Sequence, residues 1–141
     1  MWYTPDNFHA KEKDACVKAL LFILNIKGNN KQAKRDYIKL QMQAMGIAED
    51  KYNIDTYHCR WESLIKSLKE VDSLRIQRFI IREMIMLAIA GQDISDDEIR
   101  NIYQIAEAIG ISGEKVGDFF IWAAKGIEWR IEGIQLIEED L

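Results

Sequence analysis

After Pro5 the chain contains no further proline, and only eight glycines are spread over its 141 residues. Proline and glycine are the strongest local interrupters of regular structure, so this chain has few places to stop a helix. Inside the uninterrupted stretches, apolar residues recur at i, i+3, i+4 and i+7, as in Val17, Leu20, Leu21 and Leu24. That is the spacing of one helix face. The pattern predicts an all-α chain, folded as a compact bundle of six to seven helices in a single domain. Hydrophobic residues make up 48% and charged residues 30%, which gives a packed core rather than a disordered chain.

The first predicted helix runs over residues 10–27, broadened by Phe22, Ile23 and Ile26, and ends at Gly28-Asn29-Asn30. The second covers 32–45, with the stripe Ile38, Met42 and Met45, and stops at Gly46. Asp55 is an N-cap candidate for a third helix over 56–71, which presents Trp61, Ile65 and Leu68. Asp72-Ser73 leads into a fourth, over 74–90. This one is apolar nearly all round and therefore buried. Ser95 and Glu98 form an S-x-x-E capping box for a fifth helix, with the stripe Ile102, Ile105, Ala106 and Ile109, ended by Gly110. Ser112 opens a sixth helix, whose core face is read as Val116, Phe119, Phe120, Ala123, Ala124 and Ile127. Ile131, Ile134 and Ile137 continue that face, and Gly126 and Gly133 are candidate kinks. The first and fourth helices are expected at the centre.

An internal repeat underlies this order. Ala44-Met45-Gly46-Ile47-Ala48 matches Ala108-Ile109-Gly110-Ile111-Ser112, and Leu24-Asn25-Ile26-Lys27-Gly28 matches Leu87-Ala88-Ile89-Ala90-Gly91. Each unit, about 10–48 and 74–112, is a buried helix, a short loop, an amphipathic helix and a Gly-Ile exit. Two such units are expected to pair about a pseudo-two-fold axis around one core.

Net charge is −4, unevenly distributed: residues 1–71 carry 12 basic and 9 acidic side chains, and residues 72–141 carry 7 and 14. The acidic half speaks against a nucleic-acid surface. It suits a basic partner, a cation or simple solubility. The longest apolar runs, 19–24 and 84–90, are far shorter than the roughly 20 residues of a bilayer span. No signal-peptide pattern opens the chain. Cys16 and Cys59 lack zinc or redox spacing and read as reduced thiols, so a cytoplasmic location is expected.

The sharpest chemical feature is the acidic loop with Asp93, Asp96, Asp97 and Glu98. Four carboxylates at a helix start suit helix capping and the helix dipole. They also suit a hard divalent cation, although the spacing is not that of an EF-hand. The matching first-half loop, 28–34, carries amides and lysines, so a second metal site is not expected there. Lys27, Lys31, Lys34, Arg35 and Lys39 form a modest positive run, read as a solvated helix face. His9 and His58 sit in no catalytic motif, and His58-Cys59-Arg60 is read as structural. Trp122 and Trp129, seven residues apart, share a helix face. With Trp61 they are either core or an aromatic contact patch.

The run from Met86 through Ala90-Gly91-Gln92-Asp93-Ile94-Ser95-Asp96-Asp97 to Glu98, followed by Ile102, Ile105-Ala106 and Ile109-Gly110-Ile111, resembles the TerB-like (tellurite-resistance) family. That signature is an apolar helix ending in Ala-Asp-Gly, then x-Ile-x-x-x-Glu, then a helix leading to Leu/Ile-Gly-Ile. The match covers about residues 74–125, with a weaker echo in the first half. Here the triplet reads Ala90-Gly91-Gln92, so Gly91 replaces the family's loop aspartate and Asp93 is the nearest carboxylate. The resemblance implies a duplicated all-helical module linked to stress and tellurite resistance, regulatory or scaffolding rather than enzymatic. It also implies possible metal binding through the loop acids.

Together these readings give a non-catalytic interaction module without a required cofactor. Trp122, Trp129, Asp96 and Asp97 are its candidate contact residues. A protein partner is expected, nucleic acid and membrane insertion are not, and a homodimer is an option. A divalent-cation sensor using Asp93, Asp96, Asp97 and Glu98, and a partner-binding immunity-type protein, are the alternatives.

Overall fold

The computed structural model describes residues 7–26, 31–91 and 93–139, and these form six helices. They are α1 (Ala10–Leu24), α2 (Lys31–Ala44), α3 (Trp61–Lys69), α4 (Leu74–Ala90), α5 (Asp96–Ala108) and α6 (Gly113–Glu138). No strand occurs among the described residues. The predicted loop at Gly28-Asn29-Asn30, and Lys27 and Gln92 with it, lie outside the described residues.

Two helices organise the rest. α1 packs against α2, α3 and α4, and α4 packs against α1, α2, α5 and α6. Both are buried over most of their surface: Leu20, Leu21 and Ile23 of α1 and Ile80, Ile81, Met84, Ile85 and Leu87 of α4 are all inaccessible to solvent. This is the central placement expected from the broad apolar face of α1 and the nearly all-round apolar sequence of α4. α5 lies on α4 and α6, with Ile102, Ile105 and Ala106 turned inward.

The helix boundaries follow local chemistry. Ser73, Ser95 and Ser112 accept hydrogen bonds from the amides of Ile76, Glu98 and Lys115 at 3.3, 3.1 and 3.1 Å. At the C-termini of α2 and α5, Gly46 (φ 70°) and Gly110 (φ 85°) take the left-handed conformation. Ile47 N–H donates to the Met42 carbonyl at 2.9 Å, and Ile111 N–H donates to the Ala106 carbonyl at 2.8 Å. Gly46 and Gly110 N–H donate to the carbonyls of Gln43 and Glu107. Both helices thus end in the same Schellman motif, 64 residues apart.

Two expectations need correction. The third helix begins at Trp61, not at Thr56. Thr56, Tyr57, His58 and Cys59 are all weak helix formers. Asp55, the expected cap, instead meets Arg35 at 3.1 Å. The Asn25 side-chain amide donates to the Tyr57 carbonyl at 2.9 Å, holding the segment in a non-helical path.

The larger difference is in α6. It runs unbroken through Gly126 and Gly133, and only Val116 and Ala123 are buried along its length. Phe120 stacks on Tyr103 of α5 with ring centroids 5.9 Å apart, and Phe119 is half-buried. From residue 124 on, every described residue of the helix is exposed. Ile127, Ile131, Ile134 and Ile137, expected in the core, are on the surface. Gly126, Ile127 and Trp129 still border a groove with α4, and the helix continues past them as an exposed arm.

Candidate functional site

The four carboxylates of the acidic loop do not act as one group. Glu98, at the third position of α5, is inaccessible to solvent. Its Oε1 accepts from the Ser95 amide and hydroxyl, each at 3.0 Å, completing the capping box. Its Oε2 accepts from Lys34 Nζ at 2.8 Å, across 64 residues of sequence. Both oxygens are therefore engaged inside the protein. Asp93, Asp96 and Asp97 face outward, and Asp97 pairs with Arg100 at 2.7 Å. Among the described residues no group of three or more His, Cys, Asp and Glu side chains is placed to hold a metal ion. The set Asp93, Asp96, Asp97 and Glu98 is thus not assembled as a ligand cage, because helix capping turns Glu98 into the core. Asp96 and Asp97 remain available as surface contacts.

The basic run also departs from expectation. Lys34 is 1% exposed, so it is a core residue rather than part of a solvated face. Lys31 Nζ donates to the carbonyls of Leu24 and Ile26 at 2.6 and 3.2 Å, placing a cation at the α1 C-terminus where the helix dipole favours it. Arg35 pairs with Asp55, and Lys39 stays exposed. Three of the five cations are thus committed to intramolecular bonds, and Lys27 lies outside the described residues. Little of this run is left for an external anion.

A second buried polar group was not anticipated. Glu83 of α4 is buried and accepts from Tyr37 Oη at 2.8 Å. Burial raises the Glu83 carboxyl above its usual range, opposed by the Tyr37 hydrogen bond and the Arg82 charge. Burial, and next the Glu83 charge, push the Cys16 thiol up as well. A carboxyl raised in the folded state binds its proton more tightly there than in the unfolded chain. Its contribution to stability is therefore fullest below the ordinary carboxylate range and is lost as pH rises through the raised value. Glu83→Gln is accordingly expected to be more stable than the parent chain at pH 7. The two should converge near pH 4, as read by urea unfolding at both pH values. A variant less stable at pH 7 would contradict this placement.

His58 is exposed on the irregular segment before α3. Cys59 Sγ lies 3.6 Å from the Arg60 carbonyl, and burial raises its thiol, the reverse of an activated thiolate. Cys16 and Cys59 are both free thiols.

The tryptophans divide between two places. Trp61 packs on Phe22 of α1, with centroids 6.0 Å apart. Trp122 and Trp129 are on α6 and are exposed, Trp129 to 75%. Arg82 lies between the rings of Phe79 and Trp122, at 5.0 and 5.6 Å from their centroids. Beyond Trp122, α4 and α6 enclose a groove of about 410 Å³, lined among others by Met86, Ile89, Trp122, Gly126, Ile127 and Trp129. The arm continues from this groove with Ile131, Ile134, Leu136 and Ile137, the last 84% exposed. Lys125, Glu128, Arg130, Glu132 and Gln135 divide the arm's surface, and Trp122, Gly126, Trp129, Gly133, Leu136 and Ile137 form one apolar strip along it. Isolated exposed hydrophobics need no explanation, whereas a contiguous apolar strip is unusual on a protein surface. Among the described residues no helix is long and apolar enough to cross a membrane.

Two of these features were readable in the sequence. The stripe Ile38, Met42, Met45, extended one turn back, lands on Lys34, and Glu83 interrupts an otherwise apolar run. Comparisons of the chain with protein-family models, with curated proteins and with solved structures return no match.

Proposed function

We propose that the chain is a non-catalytic helical interaction module of TerB-like type, acting through surface contacts with protein. The observation that carries this reading is the apolar strip of α6, where Trp129, Leu136 and Ile137 are 75%, 69% and 84% exposed. An amphipathic helix seeks a groove or another helix to bury such a strip. The exposed Asp96 and Asp97 at the α5 N-terminus supply a second, acidic contact region. A role in stress or tellurite resistance rests on the sequence resemblance around residues 86–111. The sequestered thiols and the inward-turned Glu98 fit a binding role better than an enzymatic one.

Capture from native lysate with the intact chain, followed by calorimetry with the purified captured protein, tests the reading. Trp129→Glu/Leu136→Glu is expected to weaken binding by at least 100-fold, about 2.7 kcal/mol. Asp96→Asn/Asp97→Asn is expected to weaken it less, because rim charges contribute modestly. Binding unchanged by both variants would exclude these surfaces.

A further inference from the structure

We infer that the arm's partner is a second copy of this chain, bound antiparallel so that each arm lies along the α4/α6 groove of the other. The inference rests on the interaction reading above and gives that surface its occupant.

The sequence of the arm is complementary to itself in one direction. Trp122, Trp129 and Leu136 recur every seven residues, as do Phe119, Gly126 and Gly133, and the two series interleave at the three- and four-residue offsets of a helix–helix seam. Large knobs thus alternate with gaps. A Cβ built on Gly126 or Gly133 would meet nothing within 4 Å, so both gaps open onto free space. In an antiparallel pair, Gly126 faces Trp129 of the second copy, and Trp122 faces Gly133 of the second copy. Each indole then fills the space over a glycine. In a parallel pair, tryptophan would meet tryptophan and glycine would meet glycine, leaving clashes beside voids.

Charge favours the antiparallel arrangement. Asp118, Lys125, Arg130, Glu132 and Glu139 flank the seam. In the antiparallel register just described, Lys125 lies against Glu132 of the second copy, and two-fold symmetry forms this pair twice. Parallel pairing instead puts Lys125 beside Arg130 of the second copy. The fit of indole over glycine, rather than charge, sets the register, since the same register brings Asp118 near Glu139 of the second copy. The same register carries Leu136 of one copy toward the apolar groove beside Met86, Ile89 and Trp122 of the other. Glu128 and Glu132 give the arm an acidic side, which disfavours an anionic lipid surface as its cover.

Light scattering coupled to size exclusion and sedimentation equilibrium, on the full chain at about 10–200 μM, reads the outcome. The expected mass is twice the 16.4 kDa of one chain. Trp129→Glu should give the single-chain mass with unchanged helical circular dichroism, since that side chain is 75% exposed in the single chain. Lys125→Glu and Glu132→Lys should each weaken the dimer about tenfold, and the double variant should recover it, because the reversed pair is again complementary. A single-chain mass throughout the concentration range, a dimer indifferent to Trp129→Glu, or a charge-reversed double no tighter than the singles would each overturn the inference. A single-chain species that still binds a purified protein through the arm would overturn self-association and leave the interaction reading standing. A species that does neither removes both.

Discussion

Lys34→Met is expected to cost about 3–5 kcal/mol of folding free energy, the range for leaving one member of a buried ion pair without its partner. Methionine keeps most of the lysine stem, so packing beside Ile38 is largely retained and the loss reports the charge. Glu98 Oε2 would keep its burial and lose the ammonium 2.8 Å away. Against a total of about 5–15 kcal/mol for a domain this size, that is a large fraction. Glu98→Gln alone is expected to cost a comparable amount by stranding Lys34. Together, Lys34→Met/Glu98→Gln should recover more than half of either loss, since the glutamine carbonyl still accepts from Ser95 and no buried charge remains. Urea unfolding of the four proteins gives the cycle directly. A single-variant loss below about 1 kcal/mol would mean that the pair is solvated and is not the link between α2 and α5.

The second large effect separates core from arm. Ile80→Ala is expected to lower stability by about 2–5 kcal/mol, because the Ile80 side chain is fully enclosed by packed neighbours and its removal leaves a cavity. The same substitution at Ile134, 54% exposed, is expected to change the stability of the isolated chain by about 0.5 kcal/mol or less. The two positions are chemically identical changes in helices of similar composition, so their ratio measures whether the end of α6 is part of the fold. An Ile134→Ala loss equal to that of Ile80→Ala, in a species shown to be a single chain, would return the arm to the core. If the loss appears only where the protein is a dimer and grows with concentration, it belongs to association.

The acidic loop shows how far a short sequence signal reaches. Ser95 and Glu98 at S-x-x-E spacing predict a capping box, and the box is formed. The same spacing cannot reveal that the second oxygen of Glu98 is taken by a lysine from the other half of the chain. Without Lys34 in view, four nearby carboxylates resemble a cation site. With it, one of the four is withdrawn and the remainder are surface acids. Lys34 itself was hidden by its company: between Lys31 and Arg35, a cation reads as solvated unless its phase relative to Ile38 and Met42 is weighed more heavily than its charge.

What the sequence determined by itself was local. The helix starts at Ser73, Ser95 and Ser112, the glycine exits at Gly46 and Gly110, and the central apolar faces of α1 and α4 all depend on residues within about one turn of each other. The tertiary structure decided which apolar faces find cover and which charges find partners. Helical periodicity says that Ile127, Ile131 and Ile134 share a surface, but the packing of the described residues decides that all three stay exposed. The same holds for Lys34 and Glu98, which meet because two distant helix starts are brought together by packing, an arrangement set by the whole core rather than by any run of residues.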